Sequence, residues 1–225
     1  MGCGISKVDH LSPGQGGKQA WGSGSSVGGD CPTLYVWPGS APCRAVIMTC
    51  AAAGIDVNLL EVNLPEGHHT TEAFSEINPH KTVPVLNDKG YILWESRAIM
   101  MYLVSKYARK KKLYSMNLKE RALVDRFIHF DIGILSKAVN DYTTPILSPG
   151  SPRAPKADGN LRTALDLLEN DLIGVQYATG SHVTIADISM VASLWMLEAV
   201  NFDIGKWRLI SGWISRMKAL PFYEE

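Results

Sequence analysis

The chain has 225 residues, of which 46% are hydrophobic and 20% are charged, an ordinary composition for a globular protein with a sizeable core. Its 22 lysines and arginines balance 22 aspartates and glutamates, so no net charge indicates a nucleic-acid partner. No apolar run reaches transmembrane length, and residues 1–30 lack the apolar centre of a secretory signal. Four irregularly spaced cysteines indicate neither a disulfide framework nor a zinc site, and we expect a cytoplasmic protein.

Composition divides the chain into three zones. Residues 1–30 are rich in glycine and serine and poor in apolar residues, so we expect a disordered leader. Residues 31–110 alternate short strand patterns with helical stretches, whereas residues 111–225 show only helical periodicity. The sequence thus predicts an α/β domain followed by an all-α domain, with the boundary at the basic stretch 109–112.

The α/β domain has the predicted order β-α-β-α-β-β-α. Its elements are a strand at 33–37, a helix from Pro42 to Gly54, a strand at 57–62, a short helix at 72–77, a hairpin of strands at 82–86 and 91–93, and a helix at 95–107. Pro42 suits a first helical turn, and Gly54 suits a left-handed helix end. The residues N-D-K-G at 87–90 indicate the hairpin turn.

Pro84 stands between two extended runs and cannot donate a hydrogen bond to a sheet. A cis Val83–Pro84 peptide bond would turn the Val83 backbone outward as a hydrogen-bonding edge, while an ordinary edge-strand proline is the alternative. The sequence leaves both open.

Four segments resemble the glutathione transferase family, particularly its serine-type insect delta and epsilon classes. They are WPGSAPCR at 37–44, NPHKTVPVL at 78–86, LWESRAI at 93–99 and TIADIS at 184–189. They occur in the family's order and at close to its spacing. The resemblance implies a thioredoxin-like glutathione-binding domain, an all-helical second domain and a homodimer.

The first segment carries the chemistry that the resemblance implies. A free thiol is mostly protonated at neutral pH, so an enzyme that conjugates glutathione must stabilise the thiolate. Ser40 directly precedes the helix that Pro42 opens, and its hydroxyl can donate to a sulfur at the positive end of that helix. Simple helix capping is the alternative role for Ser40. Serine where a C-x-x-C site has its first cysteine argues against a thiol-redox enzyme, and we interpret Cys43 as a packing residue.

The other segments match the family's glutathione-binding residues. The implied set is His69, Lys81, Val83, Pro84, Glu95, Ser96 and Arg97. Glu95 would bind the γ-glutamyl ammonium, and Ser96 would bind its carboxylate with a contribution from Arg97. His69 and Lys81 match positions near the glycine carboxylate, although histidine is usual in place of Lys81. The Val83 backbone would pair with the cysteinyl part.

In the helical half, the resemblance implies a second-substrate pocket that includes Ile132, Ser136 and Tyr142. Related proteins often have an aromatic residue where Ser136 stands, and they usually continue past residue 225 with a segment that walls the pocket. We therefore expect an open pocket with reduced activity toward bulky electrophiles.

Three further features complete the sequence, and the last two are open to more than one interpretation. Thr184 and Asp187 match the family's capping box. Asp131 is either part of the polar network behind the glutamyl group or a solvated helix carboxylate. Gly2 and Cys3 fit a pattern for myristoylation and palmitoylation, although a chance match in a glycine-rich leader is the alternative, and we expect a membrane partner only if they are lipidated.

The sequence as a whole predicts a cytosolic-type glutathione transferase that conjugates the glutathione thiolate to small hydrophobic electrophiles in detoxification. Glutathione is its co-substrate, and we expect no cofactor and no metal. The alternative is a catalytically weak binding or scaffold protein of the same fold. A membrane-tethered adaptor would explain only the leader.

Overall fold

The computed structural model describes residues 31–148, 150–152 and 154–223. The predicted leader and the candidate lipidation sites Gly2 and Cys3 lie outside these residues. The chain divides into two compact units, one ending at Leu103 and the other beginning at Val104. This division lies inside a helix, whereas the change of sequence pattern puts the domain boundary after residue 110. The structural division and the sequence boundary differ because the helix continues across the division, and the sequence pattern changes only after the helix ends.

The first unit contains the element order that the sequence predicts. Its elements are β1 Thr33–Val36, α1 Ala41–Ala53, β2 Asn58–Glu61, a 3₁₀ turn His68–Thr70, α2 Glu72–Ile77, β3 Val85–Asp88, β4 Tyr91–Trp94 and α3 Ser96–Tyr107, the helix that crosses the division. The sheet has the order β2-β1-β3-β4; β1 and β2 are parallel and the other pairs are antiparallel. This is the thioredoxin-like arrangement that the resemblance implies, and the predicted fold class is confirmed.

Local residues explain where α1 ends and where the hairpin turns. Gly54 ends α1 in the left-handed region, with φ of 67°, and its N–H bonds to the Ala51 carbonyl at 3.1 Å. In the hairpin, Lys89 and Gly90 have φ of 55° and 92°, the two left-handed positions of a tight turn. The Gly90 N–H also donates to the Asn87 side-chain oxygen at 2.9 Å.

The start of β3 differs from the sequence prediction. The strand begins at Val85, whereas the sequence predicts a start at residue 82. Pro84 has no N–H to pair, and the Val83–Pro84 peptide bond is cis. The cis alternative for this bond is therefore the one that the structure contains.

The core of the first unit includes a buried cluster of Tyr35, Val62, Phe74 and Val85. Phe74 is fully buried in α2, and its ring meets the Tyr35 ring edge-on, with centroids 6.3 Å apart. The Thr71 hydroxyl caps α2 by accepting the Phe74 N–H at 3.3 Å. The short helix is thus fixed to β1 by packing rather than by its own length.

The second unit is helical, as predicted. It contains α4 Leu118–Phe130, a π turn Asp131–Leu135, α5 Ser136–Leu147, α6 Ala157–Asp171, α7 Ile185–Ala199 and α8 Arg208–Lys218. Eleven of the 15 residues of α7 are buried, and this helix packs against α4, α5 and α8. Within the described residues, no helix is both long enough and apolar enough to cross a membrane.

The predicted capping box of α7 is present and does more than cap the helix. The fully buried Asp187 carboxylate accepts the Thr184 N–H at 2.9 Å and the Thr184 hydroxyl at 3.0 Å. Its other oxygen accepts the Ala178 N–H at 2.8 Å and the Trp213 indole N–H at 3.0 Å. One side chain therefore joins the start of α7, the preceding loop and α8.

Candidate functional site

Ser40 lies where the turn after β1 enters α1. Its backbone is extended, and its Oγ accepts the Cys43 N–H at 3.4 Å. The helix-capping role is therefore real, and it uses an acceptor lone pair of the hydroxyl rather than its proton. The first turn of α1 contains Pro42 and no acidic residue, so no carboxylate neutralises the positive end of this helix. Capping and donation to a sulfur are compatible at this position.

Glu95, Ser96 and Arg97 form the entry to α3. Glu95 is exposed and has φ of 71°, a left-handed conformation that is uncommon outside glycine, and its carbonyl accepts the Ile99 N–H at 2.9 Å. Ser96, only 4% exposed, accepts a hydrogen bond from the Arg97 guanidinium at 3.1 Å. A carboxylate, a hydroxyl, a cation and a helix start thus lie together. Such a set suits a group that carries both an ammonium and a carboxylate.

The loop before β3 is held by a residue that the sequence analysis missed. The buried Asn78 amide donates to the Thr82 carbonyl at 2.9 Å and to its hydroxyl at 3.1 Å. The Asn78 oxygen accepts the His80 N–H at 3.0 Å. Its signal in the sequence is weak, because an asparagine before a proline usually marks only a turn. Here the amide braces the whole segment that precedes Val83.

The residues within this loop present backbone and charge to solvent. Lys81 is exposed and left-handed, with φ of 56°. Val83 is half-buried and Pro84 is buried. Within the described part of the chain, neither the N–H nor the carbonyl of Val83 makes a backbone hydrogen bond. These two groups are therefore available to an extended peptide.

His69 lies in the 3₁₀ turn that follows β2. It is half-buried, and its Nδ1 is buried without a hydrogen-bond partner among the described residues. The neighbouring His68 differs, because its Nδ1 accepts the Asn63 N–H at 3.3 Å and its Nε2 lies 3.2 Å from the Glu66 carboxylate. Of the two histidines, His69 is the one with an unsatisfied ring nitrogen.

Strand register brings these separate segments to one end of the sheet. Tyr35 is paired with Val85, and Val85 is paired with Trp94, so the end of β1, the start of β3 and the end of β4 are adjacent. Val36 of β1 is paired with Glu61 at the parallel end of β2. The predicted residues of the first unit all follow or precede these strand ends: Ser40, His69, Lys81, Val83, Pro84, Glu95, Ser96 and Arg97.

The three residues predicted to line the second-substrate pocket lie on the π turn and α5. Ile132 is 47% exposed, and the half-buried Ser136 follows it by four residues along the same continuous helical run. Tyr142 is half-buried, and its ring meets the Phe202 ring edge-on, with centroids 5.4 Å apart. Ile132 and Ser136 are therefore neighbours, whereas Tyr142 contacts the segment after α7.

Asp131 opens the π turn and is fully buried, so a solvated helix carboxylate is the wrong interpretation. Its carboxylate accepts hydrogen bonds from the hydroxyls of Ser189 and, at 2.8 Å, Ser193, both in α7. The π turn was not predicted, because one extra residue in a helix changes no local propensity. Asp131 joins α7 to the long helical run that contains it.

The cysteines of α1 are poor nucleophiles. Burial raises the pKa of the Cys43 thiol to about 11 and that of Cys50 to about 12. Both side chains are completely buried. Neither forms a thiolate at neutral pH, which agrees with packing roles and not with thiol-redox chemistry.

Comparison with known proteins identifies the family of the chain. Residues 34–111 match the family described as "Glutathione S-transferase, N-terminal domain", and residues 133–221 match the corresponding C-terminal domain. A delta-class glutathione transferase of Nilaparvata lugens is 38% identical over 84% of this chain and 88% of its own, with a TM-score of 0.79.

Two further solved structures show the same likeness. An epsilon-class glutathione S-transferase from the housefly, Musca domestica, is 34% identical over 86% of this chain and 90% of its own, with a TM-score of 0.79. A diazinon-metabolizing glutathione S-transferase of the silkworm, Bombyx mori, is 31% identical over 83% and 90%, with a TM-score of 0.77. The chain therefore belongs to the glutathione transferase family, resembles its insect delta and epsilon classes, and is an enzyme that conjugates glutathione.

Proposed function

We propose that Ser40 activates the glutathione sulfur for attack on small hydrophobic electrophiles. The observation that carries this proposal is the position of Ser40, which caps α1 at the same sheet end as the Val83 backbone and the Glu95–Arg97 entry to α3. Its hydroxyl proton stabilises the thiolate, and the positive end of α1 adds to that stabilisation.

The energy required is within reach of these two groups. Lowering a thiol pKa by about two units takes about 2.7 kcal/mol. A hydrogen bond to a charged group contributes about 1.5–3 kcal/mol, and a helix terminus about 0.3–1 kcal/mol. The thiol proton leaves to solvent, the sulfur forms a bond to the electrophilic carbon, and that carbon releases its leaving group as an anion.

The γ-glutamyl end of glutathione binds at the entry to α3. The exposed Glu95 carboxylate pairs with the ammonium. Ser96 and the first N–H groups of α3 bind the carboxylate, and Arg97, already bonded to the Ser96 hydroxyl, adds positive charge.

The rest of glutathione binds along the other strand ends. The unpaired backbone groups of Val83, held by Pro84 at the start of β3, pair with the cysteinyl unit. The half-buried His69 side chain and the exposed Lys81 ammonium attract the glycine carboxylate. No cofactor is needed, because glutathione is the co-substrate.

The second substrate is a hydrophobic electrophile that contacts Ile132, Ser136 and Tyr142. The large exposed surface of Ile132 suits an apolar group, and the Ser136 and Tyr142 hydroxyls suit a polar one. A silkworm relative is described as metabolizing diazinon, which supports a role in detoxification.

The enzyme acts as a homodimer in the cytoplasm, and it associates with membranes only if Gly2 and Cys3 are acylated. If Gly2→Ala leaves membrane partitioning unchanged, the proposed membrane association through acylation is wrong.

The test is conjugation of glutathione to a small aryl halide by the wild-type protein and by Ser40→Ala. Activity should fall about 100-fold or more, while retention on immobilised glutathione persists. Asn117→Ala is the matched control, because Asn117 caps α4 with two backbone bonds and lies far along the chain from Ser40. Full activity in Ser40→Ala would overturn the assignment. Inactivity of both wild type and variant, with glutathione still bound, would favour the binding-protein alternative, which no observation now favours.

A further inference from the structure

Three hydrogen bonds close a ring around the turn that carries Ser40. The Cys43 N–H donates to the Ser40 Oγ at 3.4 Å, and the Ser40 N–H donates to the Trp37 carbonyl at 3.0 Å. The Trp37 N–H donates to the Cys43 Sγ at 3.4 Å. Each of the three residues therefore bonds to both of the others, and Cys43 contacts the turn at its two ends.

Packing fixes the same turn from the side. A Cβ atom added at Gly39 would lie 2.9 Å from the Trp37 indole nitrogen, closer than real Cβ contacts. The indole therefore lies against the Gly39 backbone. A shift of the Trp37 backbone would therefore displace this ring together with the turn that carries Ser40.

The protonation state of Cys43 suits a support rather than a reactive group. Burial raises the pKa of its thiol to about 11, although the hydrogen bonds to Ser40 and Trp37 act in the opposite direction. At neutral pH the sulfur is therefore uncharged and a weak acceptor. A bound glutathione thiolate is a charged and stronger acceptor, so it takes the Ser40 proton in preference to Cys43.

We propose that Cys43 is a positioning residue for catalysis: its sulfur holds the Trp37 end of the turn while its N–H holds the Ser40 oxygen. The Ser40 oxygen is thereby fixed through a lone pair, and its proton can still be donated to the glutathione sulfur. The inference rests on the proposed function of Ser40. It assigns no reaction to the Cys43 sulfur.

Cys50 provides a matched control within the same helix. It is also completely buried, and burial is the only cause that raises its thiol pKa. Replacing either cysteine by alanine removes one buried sulfur from α1. Only the Cys43 replacement removes the acceptor of the Trp37 N–H.

The measurement is the pKa of enzyme-bound glutathione, obtained from the ultraviolet absorbance of its thiolate as pH is varied. Cys43→Ala should raise this pKa by about half to one unit, so kcat for the aryl halide should fall about three- to tenfold below the new pKa and recover above it. The KM for glutathione should change less than about twofold, because none of its anchors is altered. Cys50→Ala should leave the bound pKa at the wild-type value.

Further variants separate positioning from folding. Cys43→Val fills the volume without an acceptor and should behave like Cys43→Ala, so it serves if the alanine variant does not fold. Cys43→Ser restores an acceptor and should recover part of the shift. A bound pKa in Cys43→Ala and Cys43→Val equal to that of Cys50→Ala overturns the inference. Ser40→Ala, measured alongside, distinguishes the two proposals: if it too leaves the pKa unchanged, the role of Ser40 itself has failed.

Discussion

Replacing Asp187 by alanine removes the acceptor of four hydrogen bonds at once. The donors are the backbone N–H groups of Ala178 and Thr184, the Thr184 hydroxyl and the Trp213 indole. The carboxylate is completely buried, and burial raises its pKa above the ordinary value of 3.8. The surrounding donors would therefore lose their partner in a place where water does not easily replace it.

The expected loss follows from the number of stranded donors. The Thr184 hydroxyl can turn elsewhere, but three N–H groups cannot. At about 1–3 kcal/mol for each unsatisfied buried donor, Asp187→Ala should lower the free energy of unfolding by about 3–9 kcal/mol. That is a large share of the ~5–15 kcal/mol typical of a folded domain.

Two milder variants remove smaller parts of the same hydrogen-bond network. Asp187→Asn keeps an oxygen for Ala178 and Trp213 and strands only the Thr184 N–H, so it should cost about 1–3 kcal/mol. Thr184→Val removes one donor to the carboxylate and the capping-box acceptor of the Asp187 N–H at the helix start, so it should cost about 1–2 kcal/mol. Urea unfolding at neutral pH measures all three, with the slope of free energy against urea concentration checked for constancy.

Equal losses in Asp187→Asn and Asp187→Ala would refute the reasoning. The cost would then not depend on the number of stranded donors. A loss under about 1 kcal/mol in Asp187→Ala would refute it as well, since even one unsatisfied buried donor costs that much.

Two further predictions concern stability. Glu169→Ala should cost about 1–2 kcal/mol, because this carboxylate accepts two backbone N–H groups at the start of α8, each at 2.9 Å. In the same urea assay Asp158→Ala, which removes an exposed ion pair with Arg162, should cost less than about 1 kcal/mol. Burial raises the Cys50 pKa from 9.0 to about 12, so above pH 9 its thiol ionises in the unfolded chain but not in the folded one, and stability should fall as pH rises. Urea unfolding between pH 8 and about pH 10.5 should show a smaller decline in Cys50→Ala than in wild type, and parallel declines would contradict the assignment.

Residues with strong local preferences let the sequence predict much of the first unit. Pro42 and Gly54 mark the ends of α1 because one lacks an N–H and the other tolerates the left-handed region. The hairpin turn follows from N-D-K-G in the same way. These rules act within a few residues and need no knowledge of the fold.

Features that depend on distant partners were not predictable. The buried amide of Asn78 and the buried carboxylate of Asp131 are the same residue types that occur in turns and on helix surfaces. Their roles become visible only when the loop before β3 and the serines of α7 are placed around them. The ring that joins Trp37, Ser40 and Cys43 likewise needs a sulfur at a particular depth in the core.

The left-handed backbone of Glu95 sets folding stability against function. A non-glycine residue at φ of 71° costs about 1–3 kcal/mol, and glycine would remove most of that cost. The side chain is exposed, so the rest of the fold gains little from it. Selection for heat resistance alone would favour glycine at position 95 and would discard the carboxylate proposed to hold the glutamyl ammonium. A glutamate at this position therefore costs the fold stability, which accords with the ligand role proposed for its carboxylate.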